Sequence, residues 1–301
     1  MKRLYWALIP LLVLSGCVSE DNPIPIQPKK SIVILYENDV HCGIDDIMKH
    51  MGYDAVTLGN HEFDYGVPRM QKLLPQIGTD IVCANLFEMG ATKPMYQPYV
   101  IKQYGDKRIA FVGATTPESM TDEAYAFYDT DGTQLYDLRT NECFSLVQQA
   151  VDKARQEGAD HVVVLSHLGE AESFTGIDSH KLVKSTRGID VVLDGHTHSV
   201  IKCDQVANLD NVLVPTTQTG TKFNNVGKLW ISPEGKFVTT LVAKEDNPYT
   251  NDAITATINS IKDLMKNVTS VNVATTKFDL LALWKARHGW CAIKKRLSAI
   301  W

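Results

Sequence analysis

Several things are scarce or missing in this chain, and each absence narrows the reading. No internal repeat is visible, which excludes solenoid, propeller and other array architectures. The six cysteines have no paired spacing, so there is no zinc knuckle and no readable disulfide framework. Positive charge is not in excess: 30 Lys and Arg stand against 35 Asp and Glu, a net charge of -5, which argues against a nucleic-acid backbone as partner. The apolar segment Leu4 to Leu14 is too short for a confident membrane span. What remains is a chain of 301 residues, 44% hydrophobic, enough for one large domain or one domain with a small appendage.

The start reads as a targeting segment. Met1-Lys2-Arg3 is basic, Leu4 to Leu14 is apolar, and Leu14-Ser15-Gly16-Cys17 follows. Small residues directly before a cysteine resemble the bacterial lipoprotein signal, in which Cys17 would carry the lipid. Residues 18–30, with Pro23, Pro25 and Pro28, suit a semi-extended tether. The expected product is an exported protein held by lipid at the cell envelope, on its periplasmic or extracellular face.

From Ser31 onward, short β-branched runs alternate with helical patterns. Ile32 to Tyr36 reads as a buried strand, and so do Asp54 to Leu58, Asp80 to Ala84, His161 to Ser166 and Asp190 to Leu193. Helical periodicity appears over Val67 to Ile77, Thr140 to Gln156, Asp178 to Ser185 and Asn251 to Val268, whereas Thr115 to Thr133 looks irregular. Tyr99 to Gln103 and Arg108 to Val112 look like a hairpin, and three later strands follow one another, Val212 to Pro215, Gly227 to Ile231 and Phe237 to Val242. Early β/α alternation followed by consecutive strands predicts a layered α/β sandwich with mixed sheets.

Four of the strand ends carry metal-binding or proton-transfer groups. They supply Asp39 and His41, then Asn60, His61 and Asp64, then His167, and finally His196 and His198. Asp39 and His41 alternate by two, so on an extended strand both face one side, and the same holds for His196 and His198. Mixed carboxylate, amide and imidazole donors suit Mn, Zn, Co, Fe or Ni better than Ca or Mg. Two metals held by such a set would polarise a phosphoryl oxygen and generate hydroxide at neutral pH. His61 and Asp64, three residues apart, could form an orienting dyad that handles a proton. Glu62 reads as a structural acceptor. His50, His161 and His180 have no such context.

The blocks Asn38-Asp39-Val40-His41, Gly59-Asn60-His61-Glu62-Phe63-Asp64, Ser166-His167-Leu168-Gly169 and Gly195-His196-Thr197-His198 resemble those of the calcineurin-like metallophosphatases. More narrowly they resemble the bacterial 5′-nucleotidase and UDP-sugar hydrolase family. Gly113 to Glu118 and Gln218 to Lys222 also resemble its N-terminal domain, and the likeness runs from about Ser31 to Leu281. It implies an αββα sandwich, two divalent metals and hydrolysis of nucleotide phosphoesters outside the cytoplasm. By motif position it implies Asp39, His41 and His198 on one metal, Asn60, His167 and His196 on the other, and His61 with Asp64 as the catalytic dyad. The division expected is a signal peptide at 1–17, a tether at 18–30, a metallophosphatase domain at 31–270 and the aborted start of a C-terminal domain at 271–301.

Two departures from the family pattern stand out. The family carries a strand ending in Gly-Asp between its first two blocks, and that Asp bridges both metals. Only Cys42 to Leu58 separate His41 from Gly59 here, and Asp45 and Asp46 sit where a short helix begins, as cap or first-turn acids. The resemblance therefore implies two divalent metals with one site or both weakened, the limiting case being a single bound ion, and reduced activity. The family also continues into a nucleoside-gripping domain. Trp284 to Trp301 does not fit it, but compatible codons for Gly289 to Ile300, read one base out of step, give a family-like segment. A frameshifted tail is the expectation, and a genuine basic tail touching anionic lipid is the alternative. Besides a hydrolase of nucleotides or other small phosphoesters, two readings stay open. One is an inactive remnant or metal- or ligand-binding module. The other is a phosphodiesterase or cyclic nucleotide hydrolase of the same superfamily. The sequence is silent on oligomeric state.

Overall fold

The computed structural model describes residues 31–40, 48–49, 51–171, 173–246, 250–269, 283–286 and 289–292. His41, Cys17, the tether, His50, Asp45 and Asp46 lie outside the described residues. The chain divides into two compact units, Met1–Pro248 and Tyr249–Trp301. In the second, the described residues form a helix, Asp252–Thr269, and two antiparallel strands, Leu283–Ala286 and Gly289–Ala292.

The first unit contains strands β1 (Ile32–Tyr36), β2 (Ala55–Val56), β3 (Asp80–Ile81), β4 (Phe87–Glu88), β5 (Tyr99–Tyr104), β6 (Lys107–Thr115), β7 (Tyr136–Asp137), β8 (His161–His167), β9 (Val191–Leu193), β10 (Val200–Ala207), β11 (Leu213–Thr219), β12 (Asn225–Ile231) and β13 (Phe237–Ala243). Six of them form a mixed sheet in the order β10-β11-β9-β8-β6-β5, and three form an antiparallel sheet in the order β1-β12-β13. Strands β6, β8, β9 and β11 run parallel, so the chain returns between them through crossover connections. Helix Cys143–Gln156 joins β6 to β8. It buries Cys143, Val147, Ala150, Val151 and Ala154, a spacing of three and four that puts one apolar stripe on the sheet. Helix Ser179–Lys184 joins β8 to β9, and its N-cap Asp178 accepts a hydrogen bond from the Lys181 backbone N–H at 2.7 Å.

The two sheets pack face to face. Ile109, Phe111, Val163, Val191 and Leu193 of the larger sheet share a core with Tyr36, Leu229, Ile231 and Phe237 of the smaller. Tyr36 also ties the sheets together by a hydrogen bond, since its hydroxyl lies 2.7 Å from the Thr217 hydroxyl on β11. Its ring lies over Gly227, directly opposite in register, where a Cβ would sit 2.1 Å from the ring. The α/β sandwich is the expected class.

Three local expectations change. Ile32 to Tyr36 is a strand, but only one side of it is buried: Val33 is 42% and Leu35 62% exposed, because no described residue covers that face. The strands expected at Asp54 to Leu58 and Asp80 to Ala84 shrink to two residues each, β2 and β3, paired only with one another among the described residues. The stretch read as irregular, Thr115 to Thr133, contains a turn of helix, Ser119–Asp122, and a 3-10 turn, Ala124–Ala126.

Gly113 in β6 offers a direct test of the packing. A Cβ there would stand 1.9 Å from the Val82 backbone oxygen, and backbone cannot swing aside as a side chain does. Gly113→Ala should therefore cost about 3 kcal/mol of stability, at the upper end for overpacking. Urea denaturation would show it as a lowered midpoint with an unchanged slope.

Candidate active site

The carboxyl ends of the parallel strands and of β1 converge on one place, as expected for a ligand site in an open α/β sheet. β8 ends in His167, which is paired in register with Thr115 at the end of β6. β9 leads into Asp194-Gly195-His196, and β1 leads into Asn38-Asp39.

Asp39 sits at the centre. It is buried, and its backbone is left-handed, with φ 53°. Aspartate tolerates that region better than most residues, and such strain persists only where surrounding contacts fix it. Those contacts come from the end of β11. The Asn38 side-chain oxygen accepts from both the Thr219 N–H and the Thr219 hydroxyl at 2.7 Å, and the Asn38 amide donates to Gly220 O at 2.8 Å. The Thr221 hydroxyl and the Lys222 N–H both donate to Asp39 O, at 2.9 and 3.1 Å. The block Gln218 to Lys222 thus works as the clamp for Asp39.

The Asp39 carboxylate has two separate tasks. Its Oδ2 accepts from the Asn38 amide at 2.7 Å and from the His196 N–H at 2.9 Å. Its Oδ1 faces two imidazoles, His198 Nε2 at 3.4 Å and His167 Nε2 at 3.6 Å. His167 Nε2 also donates to Asn60 Oδ1 at 3.0 Å, and the Asn60 amide donates to Glu123 Oε1 at 3.3 Å, which aims the Asn60 oxygen at His167. Asp39 Oδ1 is thus flanked by His167 and His198, and His167 is linked on to Asn60. Two glycines permit the approach. A Cβ on Gly59 would lie 3.0 Å from the His167 ring, and one on Gly195 would lie 2.9 Å from Asp39 Oδ2.

His196 is placed differently from expectation. It and His198 do not share one face of an extended strand, since both have left-handed backbones, with φ 88° and 59°. His196 Nε2 donates to Glu118 Oε2 at 2.8 Å. Glu118 itself accepts from the Phe174 N–H at 3.0 Å. Burial alone would raise the Glu118 carboxyl, but its hydrogen bonds outweigh that and hold it below the usual range. A histidine that gives one ring N–H to a carboxylate presents the other nitrogen as a ligand, the usual arrangement behind a metal site.

Burial pushes the His167 imidazole down to about 3, against the attraction of Asp39, so it is neutral at physiological pH. Neutral is the form a metal requires. Among the described residues, no three or more His, Cys, Asp or Glu stand close enough to hold a metal ion by themselves. The donor set nevertheless fits one in its chemistry. Ligands about 2.1 Å from a metal stand about 3 to 3.5 Å from one another, close to the separations of Asp39 Oδ1 from the two imidazoles, and Asn60 adds a neutral oxygen.

His61 and Asp64 form a separate pair beside this cluster. His61 Nδ1 donates to Asp64 Oδ2 at 3.0 Å, and both side chains are about a third exposed. The 3-10 turn Asn60–Phe63 presents Asn60 and His61 in succession. Glu62 is structural, as read: its Oε2 accepts from the Gly59 N–H at 2.6 Å. The Tyr125 hydroxyl donates to Asp64 O at 2.8 Å.

Three acidic residues near the site were missed at the sequence level: Glu118, Glu123 and Glu170. Glu170 accepts from Thr197, from the Ser199 hydroxyl at 2.7 Å and from the Gln218 amide at 2.9 Å, fixing the turn that carries His196 and His198. Asp194, fully buried below it, accepts from the Ser166 hydroxyl at 2.6 Å and the Leu168 N–H at 3.1 Å. The signal for Glu118 was its place in the block Gly113 to Glu118. Nothing in local pattern marks Glu123 or Glu170. His161 and His180 lie against Asp190 and Asp204, away from this cluster.

The two-sheet sandwich with Asp, Asn and His donors at its strand ends shares its fold with a calcineurin-like phosphoesterase and a 5′-nucleotidase precursor of known structure. The family model described as bacterial capsule synthesis protein PGA_cap matches residues 28–214, and the chain belongs to that family. It is similar to the trifunctional nucleotide phosphoesterase protein YfkN of Bacillus subtilis, with 26% identity over 285 residues, 88% of this chain and 18% of that protein. It is 32% identical over 160 residues to the 5′-nucleotidase of Bos taurus, covering 51% of this chain and 25% of that one. Among solved structures, a 5′-nucleotidase precursor from Thermus thermophilus superposes with a TM-score of 0.62 at 22% identity, over 79% of this chain and 48% of that one. The calcineurin-like phosphoesterase YfkN from Bacillus subtilis gives 0.61 at 23% identity, over 73% of each chain. These two likenesses speak for the fold. The chain spans only about a fifth to a quarter of the curated relatives named here.

Proposed function

We propose that this protein is a metal-dependent phosphoester hydrolase acting on nucleotides or similar small phosphoesters outside the cytoplasm. The observation that carries the proposal is the convergence of His167 and His198 on Asp39, with Asn60 held against His167, beside the His61–Asp64 pair. Asp39, Asn60, His167 and His198 would hold a divalent ion, with His196 turned by Glu118 to add a further nitrogen. A bound ion of this kind supplies positive charge for the phosphoryl oxygens and makes hydroxide available at neutral pH.

The chain's own groups do the rest. Asp39 fixes the two imidazoles and, through the His196 N–H, the turn that leads into His198. Asp64 holds the Nδ1 proton of His61, leaving Nε2 as the atom that carries a proton to or from the leaving oxygen. Activity is proposed to be modest. Asp39 is the one carboxylate facing His167 and His198 among the described residues, and the nearby Glu118 and Glu123 are engaged by His196 and Asn60.

Export and lipid anchorage through Cys17 are part of the proposal and rest on the leader-like start of the sequence. Cys203 is disulfide-bonded, which suits an oxidising compartment. Purified protein should be assayed on an aryl phosphate and a nucleoside monophosphate, with Mn, Co or Zn and after chelation. Turnover should be strictly metal-dependent, and chelation should also lower the unfolding temperature, since an ion that binds only the folded chain stabilises it. If neither substrate turns over with any of the metals, the hydrolase reading fails and the binding-module reading takes its place.

A further inference from the structure

Both β1 and β2 have one unpaired edge. β1 pairs only with β12, and β2 only with β3, among the described residues. Both unpaired edges line the same cavity, of about 780 Å³, in which residues 33–36 form one side and residues 54–57 the other. Its floor is the larger sheet, through Tyr104, Phe111, Leu165 and Leu193. β1 and β2 both run toward the candidate site, since β1 leads to Asp39 and β2 to Gly59 and Asn60, which meet at His167. The cavity is thus a slot between two like-directed strand edges, and one of its ends opens at Asp39 and His61.

We propose that this slot receives an extended segment of a partner polypeptide, which adds a strand between β1 and β2. Complementarity favours this occupant. Each open edge presents backbone N–H and C=O groups at the strand repeat, over an apolar floor, and only another extended backbone offers matching donors and acceptors to both sides. Side chains alternate along such a segment, so every second one would rest on Phe111, Leu165 and Leu193. The side chains between would cover Val33 and Leu35, which are exposed on the outer face. Glu37, lining the slot, has a buried carboxylate oxygen without a hydrogen-bond partner, and a backbone N–H of the added strand would satisfy it.

Charge narrows the occupant further. Of the acidic residues along the lining, Glu37, Asp39, Asp54, Glu62 and Asp194, only Asp54 is exposed, and Arg69 is the one guanidinium there. An acidic segment is disfavoured. Asp54 is exposed at the mouth far from the site, where β2 begins, and would pair with a lysine or arginine. The segment that fits is about five residues long, matching β1, with alternating apolar side chains and a basic residue at the end beside Asp54.

Binding is read without turnover, so the test stands apart from the hydrolase reading. The full chain would be titrated with a synthetic Val/Thr-alternating peptide carrying one terminal lysine, and with the same peptide N-methylated at alternate backbone amides. The expected result is saturable 1:1 binding, slowed amide exchange at both Ile32–Tyr36 and Ala55–Val56, and at least a tenfold loss on N-methylation. Asp54→Asn, which keeps an acceptor for the Tyr104 hydroxyl, should weaken binding several-fold with no change in unfolding temperature. Absence of saturable binding would overturn the proposal. So would equal binding of the N-methylated peptide, which would mark an apolar small-molecule pocket. Protection of the same amides by concentration-dependent dimerisation without peptide would overturn it in favour of a second copy of this chain.

Discussion

Asp39→Asn should lower kcat/KM on an aryl phosphate by about 10³-fold, roughly 4 kcal/mol of transition-state stabilisation. The substitution keeps the shape and removes the charge. In the native site Oδ2 accepts two hydrogen bonds, from the Asn38 amide and the His196 N–H, while Oδ1 faces His167 and His198. An asparagine in this place has one oxygen and one NH2 group. If the oxygen keeps the two hydrogen bonds, the NH2 points at the imidazoles and repels a cation. If it turns round, two buried donors lose their acceptor, at about 1 to 3 kcal/mol each. Metal affinity and activity should fall together in either case. Retention of the metal with full turnover would show that Asp39 is not a ligand. The unfolding temperature separates this loss from simple misfolding.

His61→Ala should behave differently. His61 is about a third exposed and hydrogen-bonds Asp64, beside the proposed metal ligands and not one of them, so its loss should leave metal content unchanged. Removing a positioned acid–base group costs about 10²- to 10⁴-fold. The loss should depend on the leaving group. An alkyl phosphate or nucleoside monophosphate needs a proton on its departing oxygen, whereas a nitrophenolate departs without one. His61→Ala should therefore cost at least about tenfold more on the nucleotide than on the aryl ester. Asp64→Asn should follow the same pattern more weakly, because it disturbs the tautomer of His61 and leaves the imidazole in place. An equal loss on both substrates would assign His61 to phosphoryl binding in place of proton transfer.

The parts of the site that were legible in sequence are those fixed by strand ends. β1, β8 and β9 are marked by β-branched runs, and the polar residues that follow or end them, Asp39, His167 and His196, do meet. The helix Cys143–Gln156 was equally plain, because its apolar stripe depends only on the helical repeat. What was not legible depends on contacts between distant segments. The pairing of His196 with Glu118 spans 78 residues and starts from a stretch with no clear period. The left-handed backbones of His196 and His198 defeat the inference from strand alternation, because no extended strand exists there. The short extents of β2 and β3 have a tertiary cause as well: their apolar residues are suited to longer strands, but β2 has a neighbour on one side only among the described residues.

Whether Asp39, Asn60, His167 and His198 form a metal centre is tested most directly by metal content per chain. Wild-type protein and His167→Ala, both loaded with Mn or Zn and desalted, would be measured by elemental analysis. The expected result is at least one tightly held ion per wild-type chain, reduced to background in His167→Ala while the fold is retained. An unchanged metal content in the variant would contradict a metal centre at these residues.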